Sequence, residues 1–163
     1  MSAIFSLCGT WRYRLERDLE QPGIIAALIG VNPSTAGAEV NDQTIRKDIG
    51  FGKRLGWSRI IKGNLCSYCA TDVRELKRAL DPIGPENDDH LAAIIQSADI
   101  LIGAWGPLAK LPKYLRRRPN EVRMLAERLG KSIWCFGTAK DGQPRHTLML
   151  AYDTPLILWD QKP

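Results

Sequence analysis

IIAALIGV at residues 24–31 and the NPST that follows at residues 32–35 decide the fold class of this chain. An unbroken apolar run of this kind is typical of a strand that is buried on both faces, as in a parallel sheet covered by helices. The run is far shorter than the ~20 apolar residues that a membrane span needs. It therefore predicts a central strand of an α/β protein, with a polar turn that begins at Asn32.

Further strands and helices alternate along the chain on either side of this run. Short apolar segments predict the other strands, at residues 4–15 (a hairpin or sheet edge around Gly9), 59–65, 99–104, 132–136 and 155–159. Apolar periodicity and capping residues predict the helices, at residues 42–55, 72–80, 87–98 and 120–129. The alternation predicts a single α/β domain over residues 1–163, a three-layer α/β/α sandwich with a central, mostly parallel sheet of four to five strands.

The composition is that of an ordinary globular protein. The chain has 163 residues, of which 44% are hydrophobic and 25% charged, and this excludes a disordered, collagen-like or disulfide-rich protein. The first residues lack the pattern of a signal peptide, so we interpret the four cysteines as reduced thiols. We therefore expect a cytoplasmic protein with no membrane partner, and we leave its oligomeric state open.

The net charge of +5 is concentrated in residues 110–131, which we call the basic segment. It holds eight of the 23 Lys and Arg residues and only two of the 18 Asp and Glu residues, so the rest of the chain is close to neutral. Basic residues with interleaved aromatic residues suit a nucleic-acid backbone, while the alternative is a solvated surface. We predict contacts with a phosphate or a nucleic-acid backbone for Arg46, Lys113, Arg116, Arg117 and Arg118, with DNA, RNA or a nucleotide as the partner.

Polar side chains follow every predicted core strand. Because ligands of open α/β sheets bind beyond the carboxyl ends of the strands, we expect these side chains to form a binding rim. The candidates are Asn32, Pro33, Ser34, Thr35, Asp42, Asn64, Tyr68, Asp72, Trp105, Arg145 and His146. Simpler interpretations exist for several of them: NPST is also an ordinary turn, and Asp42 and Asp72 are also suitable helix N-caps.

The pair Cys66-x-x-Cys69 is the one metal-like motif of the sequence. A zinc or iron–sulfur site needs about four ligands, and no second cysteine pair is present. Walker A, Gly-x-Gly-x-x-Gly and His-Glu-x-x-His motifs are absent from the sequence as well. We predict no metal and no cofactor.

Motifs over most of the chain resemble the domain-of-unknown-function family 1643 (DUF1643). The resemblance covers residues 7–150 and rests on NPSTA at 32–36, ND at 41–42, TIR at 44–46, NL at 64–65, ATD at 70–72, DP at 81–82, GPEND at 84–88, AWG at 104–106 and DGQPRH at 141–146. Family members usually carry Pro where this chain has Thr147 and Arg where it has Cys69. The family name implies no function.

The chain also resembles, more distantly, the uracil-DNA glycosylases, which are α/β/α domains. The matching features are GVNP at residues 30–33, Asn64 at the end of a strand, Trp105-Gly106, and His146-Thr147 in the place of a His-Pro motif. This resemblance implies a fold like that of uracil-DNA glycosylase and hydrolysis of an N-glycosidic bond.

The same resemblance implies a role for each site residue. Asp42 would orient the attacking water and stabilise the sugar cation, with Asn32 as an uncharged alternative for that role, and His146 would donate a hydrogen bond to the departing base. Asn64 and Tyr68 would recognise and stack on the base. Arg46 and Arg145 would bind phosphate.

Three functional hypotheses follow. The first is a glycosylase-like protein that binds a nucleobase, nucleotide or nucleic acid and hydrolyses an N-glycosidic bond. The second is a non-catalytic nucleic-acid-binding module, and the third is a small-metabolite enzyme that uses the same strand-end pocket.

Overall fold

A computed structural model of the chain describes residues 1–34 and 36–159 as an α/β protein. The strands in these residues are β1 (Ser2–Phe5), β2 (Arg12–Asp18), β3 (Ile24–Gly30), β4 (Trp57–Asn64), β5 (Ile100–Gly103), β6 (Ile133–Cys135) and β7 (Ile157–Leu158). The α-helices are α1 (Gln43–Leu55), α2 (Asn87–Ser97) and α3 (Arg118–Arg128). Short 3₁₀ helices cover Val73–Lys77, Leu108–Lys110, Lys113–Leu115 and Thr147–Met149.

The strands form one mixed sheet in the order β1-β2-β4-β3-β5-β6-β7. The four central strands, from β4 to β6, are parallel, whereas β1 with β2, β2 with β4, and β6 with β7 pair antiparallel. The prediction of a mostly parallel sheet of four to five strands was therefore wrong, although its parallel centre exists. The physical reason is that the N-terminal hairpin pairs edge-on with β4, Leu15 opposite Lys62, and so extends the same sheet.

Helices cover both faces of this sheet. Along β3, Ala26 and Leu28 pack with Phe51 of α1, whereas Ala27 and Ile29 join the core that α2 and α3 contribute to. The four β3 side chains are at most 1% exposed, which confirms the predicted strand buried on both faces.

Helix α1 confirms the bounds predicted from its capping residues. The carboxylate of Asp42 accepts a hydrogen bond from the backbone N–H of Ile45 at 2.8 Å, and Gly56 ends the helix in the left-handed conformation at φ 71°. Gly52 packs closely against the core, since a Cβ atom there would lie 2.5 Å from Leu19 Cδ1 and would force this side chain to move. The simpler interpretation of Asp42 as an N-cap is thus confirmed.

Two predicted helices differ in extent from the sequence-based bounds. Asp72 and Glu75 form the predicted capping box, but the helix is 3₁₀ and ends at Lys77, because the chain turns there and leaves Leu80 fully exposed. Helix α3 begins at Arg118, two residues earlier than predicted, since a proline is tolerated in a first helical turn. Among the described residues, no helix has the length and apolar character to cross a membrane.

Candidate functional site at the strand ends

A cleft of about 500 Å³ lies where β3 and β4 end. Gly30 and Asn64, the last residues of these two neighbouring parallel strands, form part of its lining. The turn after β3, the start of α1, the segment after β4 and the residues around His146 form most of the rest, together with Arg12 of β2, Lys62 of β4, and Trp105 and Lys110 after β5. The lining residues are Arg12, Gly30, Val31, Asn32, Ser34, Asp42, Thr44, Ile45, Lys62, Asn64, Ala70, Thr71, Asp72, Val73, Trp105, Lys110, His146 and Leu148.

The cleft brings together seven of the residues singled out from the sequence. They are Asn32, Ser34, Asp42, Asn64, Asp72, Trp105 and His146. The remaining predicted residues do not line it: Pro33, Tyr68, Arg145, Arg46, Lys113, Arg116, Arg117 and Arg118. Thr35 lies outside the described residues. The three residues that the glycosylase resemblance marks as catalytic are therefore all at the cleft.

Asp42 is the carboxylate of the cleft that carries no ion pair within the described residues. Its oxygens accept hydrogen bonds from the Ser34 hydroxyl at 2.6 Å and from the backbone of Ile45. Burial alone would raise its pKa, but these hydrogen bonds and the charges of Lys62 and Arg12 outweigh burial and hold the pKa of Asp42 below its ordinary value. Asp42 is therefore ionised at neutral pH.

His146 enters the cleft as a neutral imidazole. Burial and the positive charges of Lys62 and Lys110 lower the pKa of His146 from 6.5 to about 4, against the weaker opposing effect of Asp48 and Asp42. Its Nδ1 accepts a hydrogen bond from the backbone N–H of Leu148 at 3.2 Å. The neutral ring therefore carries its proton on Nε2, which makes this nitrogen a hydrogen-bond donor.

The two asparagines at the strand ends offer different groups. Asn32 donates both amide hydrogens, to the carbonyls of Pro33 at 2.9 Å and of Ala70 at 2.7 Å, so its Oδ1 is the atom left for a ligand or water. Asn64 is 3% exposed, and its Nδ2 has no hydrogen-bond partner within the described residues. A buried amide without a partner is costly, and a ligand acceptor would satisfy it.

Beneath these groups lies a buried ionic network. Lys62 donates to Asp48 at 2.7 Å, and the other oxygen of Asp48 accepts a hydrogen bond from the Thr147 hydroxyl at 2.6 Å. Asp48 is fully buried on the inner face of α1, so the network ties this helix to β4 and to the residue that follows His146. It fixes the cleft from below.

The family model of DUF1643, described as a protein of unknown function, matches residues 12–148. The chain belongs to the DUF1643 family. Searches of curated proteins and of solved structures each gave no match.

In this DUF1643 chain the basic segment is less free than its sequence indicates. Arg118 is 3% exposed, donates to the backbone carbonyl of Leu65 at 2.8 Å and pairs with Asp88 and Glu121. These internal partners use the charge of Arg118, for which the sequence predicted contact with a nucleic-acid backbone. Lys113, Arg116 and Arg117 are exposed, although Arg117 pairs with Glu121 at 3.0 Å.

Tyr68 also departs from its predicted place in the DUF1643 fold. It is half-buried, packs against the hydrophobic core on the α2 side of the sheet and pairs through its backbone with Trp11. It is not positioned to stack on a base in the cleft. Trp105, by contrast, forms a wall of the cleft, held by a hydrogen bond from its indole N–H to Gln143 at 2.9 Å.

The cysteines form no metal site in the described part of the chain. No group of three or more His, Cys, Asp or Glu side chains there has the arrangement to hold a metal ion. Burial raises the pKa of Cys66 to about 12, and burial also raises the pKa of Cys69. Both are thus protonated thiols at neutral pH.

Three cationic residues of the cleft were missed by the sequence reasoning: Arg12, Lys62 and Lys110. Lys62 had a signal, because a charged residue inside a strand predicted to be buried needs a partner or a function. Arg12 had none, since it reaches the cleft from an antiparallel strand outside the parallel centre. Lys110 was counted in the basic segment, which begins just after the strand that ends at residue 104, but it was not singled out as a residue of the cleft.

Proposed function

We propose that the cleft binds a nucleobase and that the protein hydrolyses an N-glycosidic bond, in a nucleotide or nucleic acid, as in the uracil-DNA glycosylases that its motifs resemble. The observation that carries the proposal is that Asn32, Asp42, Asn64 and His146, from four separate segments, line one cleft. We also propose that the fold is an α/β/α sandwich like that of the uracil-DNA glycosylases. The parallel central strands and the helices on both faces of the sheet support this assignment.

Base recognition is assigned to Asn64. A nucleobase presents carbonyl and ring N–H groups side by side, and a carboxamide pairs with such an edge through its own N–H and C=O. The unpartnered Nδ2 of Asn64, buried where β4 ends, supports this role. Trp105 also lines the cleft.

The charges of Asp42 and His146 fit the bond cleavage. When the bond between C1′ and the base nitrogen breaks, its electron pair leaves with the base and the sugar becomes an oxocarbenium-like cation. The ionised Asp42 stabilises this cation and, with Oδ1 of Asn32, orients the water that attacks C1′; the base takes up the released proton. The Nε2–H of neutral His146 donates a hydrogen bond to the base anion.

The proposal is tested by incubating the protein with uracil-, hypoxanthine- and other modified-base DNA and with free nucleotides, and by measuring released base chromatographically. Asp42→Asn keeps a good N-cap while it removes the charge, so we expect folded protein with a rate lower by about 10²-fold or more. Asp153→Asn, at an exposed aspartate outside the cleft, is the matched control. Absence of both base release and binding over the whole panel would refute the proposal.

A second candidate is a non-catalytic nucleic-acid-binding module, favoured by the exposed ring of Tyr114 between Lys113 and Arg116. The affinity for a labelled single-stranded oligonucleotide is measured by fluorescence anisotropy at several salt concentrations. The double variant Arg116→Ala/Arg117→Ala would lower the slope of log affinity against log salt by about 1.4, whereas Arg78→Ala, at an exposed arginine elsewhere, would not. Equal slopes for both variants would exclude it.

A further inference from the structure

Three arginines are buried in the described part of the chain, and they differ in how their guanidinium groups are satisfied. Arg17 donates to four acceptors, the side chain of Asn41 and the carbonyls of Glu16, Gly37 and Val40. Arg118 donates to a backbone carbonyl and to two carboxylates. Both guanidinium groups therefore direct their hydrogen bonds to partners inside the protein.

Arg12 is the exception among the three. It is 3% exposed and donates to the carbonyl of Ala36, but within the described residues its Nε has no partner and it forms no ion pair. A guanidinium has five donors in a planar fork, and burying it without a counter-charge is expensive. Unlike Arg17 and Arg118, Arg12 lines the cleft at the strand ends.

The charges around Arg12 leave room for an anion. Lys62 and Lys110 line the same cleft, and the charge of Lys62 is balanced by Asp48 from below. The carboxylate of Asp42 accepts its hydrogen bonds from Ser34 and the backbone of Ile45, and it acts on Arg12 as a nearby charge without forming an ion pair with it. The other acid of the cleft, Asp72, pairs with Arg74 at 2.5 Å. No described carboxylate therefore forms an ion pair with Arg12.

We propose that Arg12 forms an oxyanion subsite of the cleft and binds a phosphate group of the ligand. Phosphate is the anion that a planar guanidinium fork recognises best, through two parallel N–H···O bonds. That this phosphate belongs to a nucleotide rests on the proposed function; the existence of the oxyanion subsite does not. The ligand is then a phosphorylated nucleoside, with its base at Asn64 and its phosphate at Arg12.

The experiment compares uridine, uridine 5′-monophosphate, inorganic phosphate and a uracil-containing trinucleotide with phosphodiester links as probes. Dissociation constants are measured by calorimetry at constant ionic strength. The variants are Arg12→Gln, Arg12→Lys and, as the matched control, Arg14→Gln, an arginine of the same strand that pairs with Glu16 outside the cleft. Thermal unfolding of each variant establishes that it is folded.

The wild-type protein is expected to bind at least one phosphorylated probe about tenfold or more tightly than uridine. Arg12→Gln should reduce this preference to less than about threefold, Arg12→Lys should retain part of it, and Arg14→Gln should retain all of it. If Arg12→Gln does not fold, the comparison of Arg12→Lys with Arg14→Gln decides, because Lys keeps the charge but loses the planar fork.

The probes also separate the two sources of phosphate. A loss confined to uridine monophosphate and inorganic phosphate assigns a free nucleotide, and a loss that includes the trinucleotide assigns a strand; both support the subsite. The subsite is refuted if wild type prefers no phosphorylated probe, or if the Arg12 variants keep the full preference. Phosphate binding at Arg12 without base release would support the subsite and refute the proposed hydrolysis. Base release together with Arg12 variants that keep the preference for phosphorylated probes would support the hydrolysis and refute the subsite.

Discussion

At the scale of single residues, the cleft keeps a histidine uncharged beside two carboxylates. Lys62 and Lys110 disfavour a further positive charge at His146, and the backbone bond to Nδ1 selects the tautomer with the proton on Nε2. Asp42 is held ionised by the same surroundings. One environment thus sets opposite charge states for the two groups that the proposed reaction needs, an anion near the sugar and a neutral donor near the base.

The neutral state of His146 predicts a pH dependence of stability. Its pKa is about 4 in the folded protein and near 6.5 in the unfolded chain, so between these values the unfolded chain binds more protons. As far as His146 is concerned, the free energy of unfolding should have its highest value above pH 6.5. It should fall by about 3 kcal/mol as the pH decreases to 4. Urea unfolding across this range should show a steeper decline for wild type than for His146→Gln. Parallel curves for the two proteins would contradict the charge assignment.

At the scale of elements, the cleft exists because two parallel strands end side by side in residues with different amounts of space. Gly30 and Asn64 are register partners, and the missing side chain of Gly30 leaves room for the amide of Asn64 and the amine of Lys62. A Cβ atom at Gly30 would lie 3.0 Å from Asn64 Oδ1 and 3.3 Å from Lys62 Cε. The strand end is therefore shaped for these two polar groups.

Gly30→Ala should weaken binding without unfolding the protein. The added methyl displaces the Asn64 amide by a few tenths of an ångström, and we expect affinity for uridine monophosphate to fall about tenfold or more. Stability should stay constant or rise slightly, since Ala restricts the unfolded chain more than Gly does. Gly37→Ala, whose Cβ would meet nothing within 4 Å, is the control for both measurements. Unchanged affinity in Gly30→Ala would argue against Asn64 as the recognition residue.

The sequence predicts the individual elements better than their pairing. The apolar run at residues 24–31 predicts its own burial from local sequence alone, and Asp42 and Gly56 mark the two ends of α1. The place of β2 in the sheet, in contrast, depends on its register against β4, far along the chain, which no local pattern reveals. The same limit hid Arg12, because its role depends on which strand β2 pairs with.

At the scale of the whole molecule, the network of Lys62, Asp48 and Thr147 joins segments that are distant in sequence. Helix α1, strand β4 and the residues after His146 meet in one buried ionic cluster rather than in a purely apolar contact. Cleft residues such as Asn32 and Asn64 were foreseeable because the carboxyl ends of neighbouring parallel strands meet at one edge of the sheet. The network of Lys62, Asp48 and Thr147 could not be predicted from the sequence, because Thr147 and Asp48 lie 99 residues apart.

Breaking this network should destabilise the protein strongly. Asp48→Asn leaves the buried ammonium of Lys62 without its counter-charge, so the free energy of unfolding should fall by about 3–5 kcal/mol in urea titrations. The double variant Asp48→Leu/Lys62→Met removes both charges and should be more stable than Asp48→Asn. The exposed Asp153→Asn should change stability by less than about 0.5 kcal/mol. A double variant less stable than Asp48→Asn would contradict this account.

The lining of the cleft runs from Arg12 to Leu148, and this spread has a consequence for biosynthesis. As a growing chain leaves the ribosome, the parallel strands β3 and β4 and the capped start of α1 are available early. His146 and Leu148 emerge more than 30 residues after the other lining residues, of which Lys110 is the last. A nascent chain therefore carries no complete binding site until Leu148 has left the ribosome, and a ligand of the cleft cannot stabilise any shorter folding intermediate.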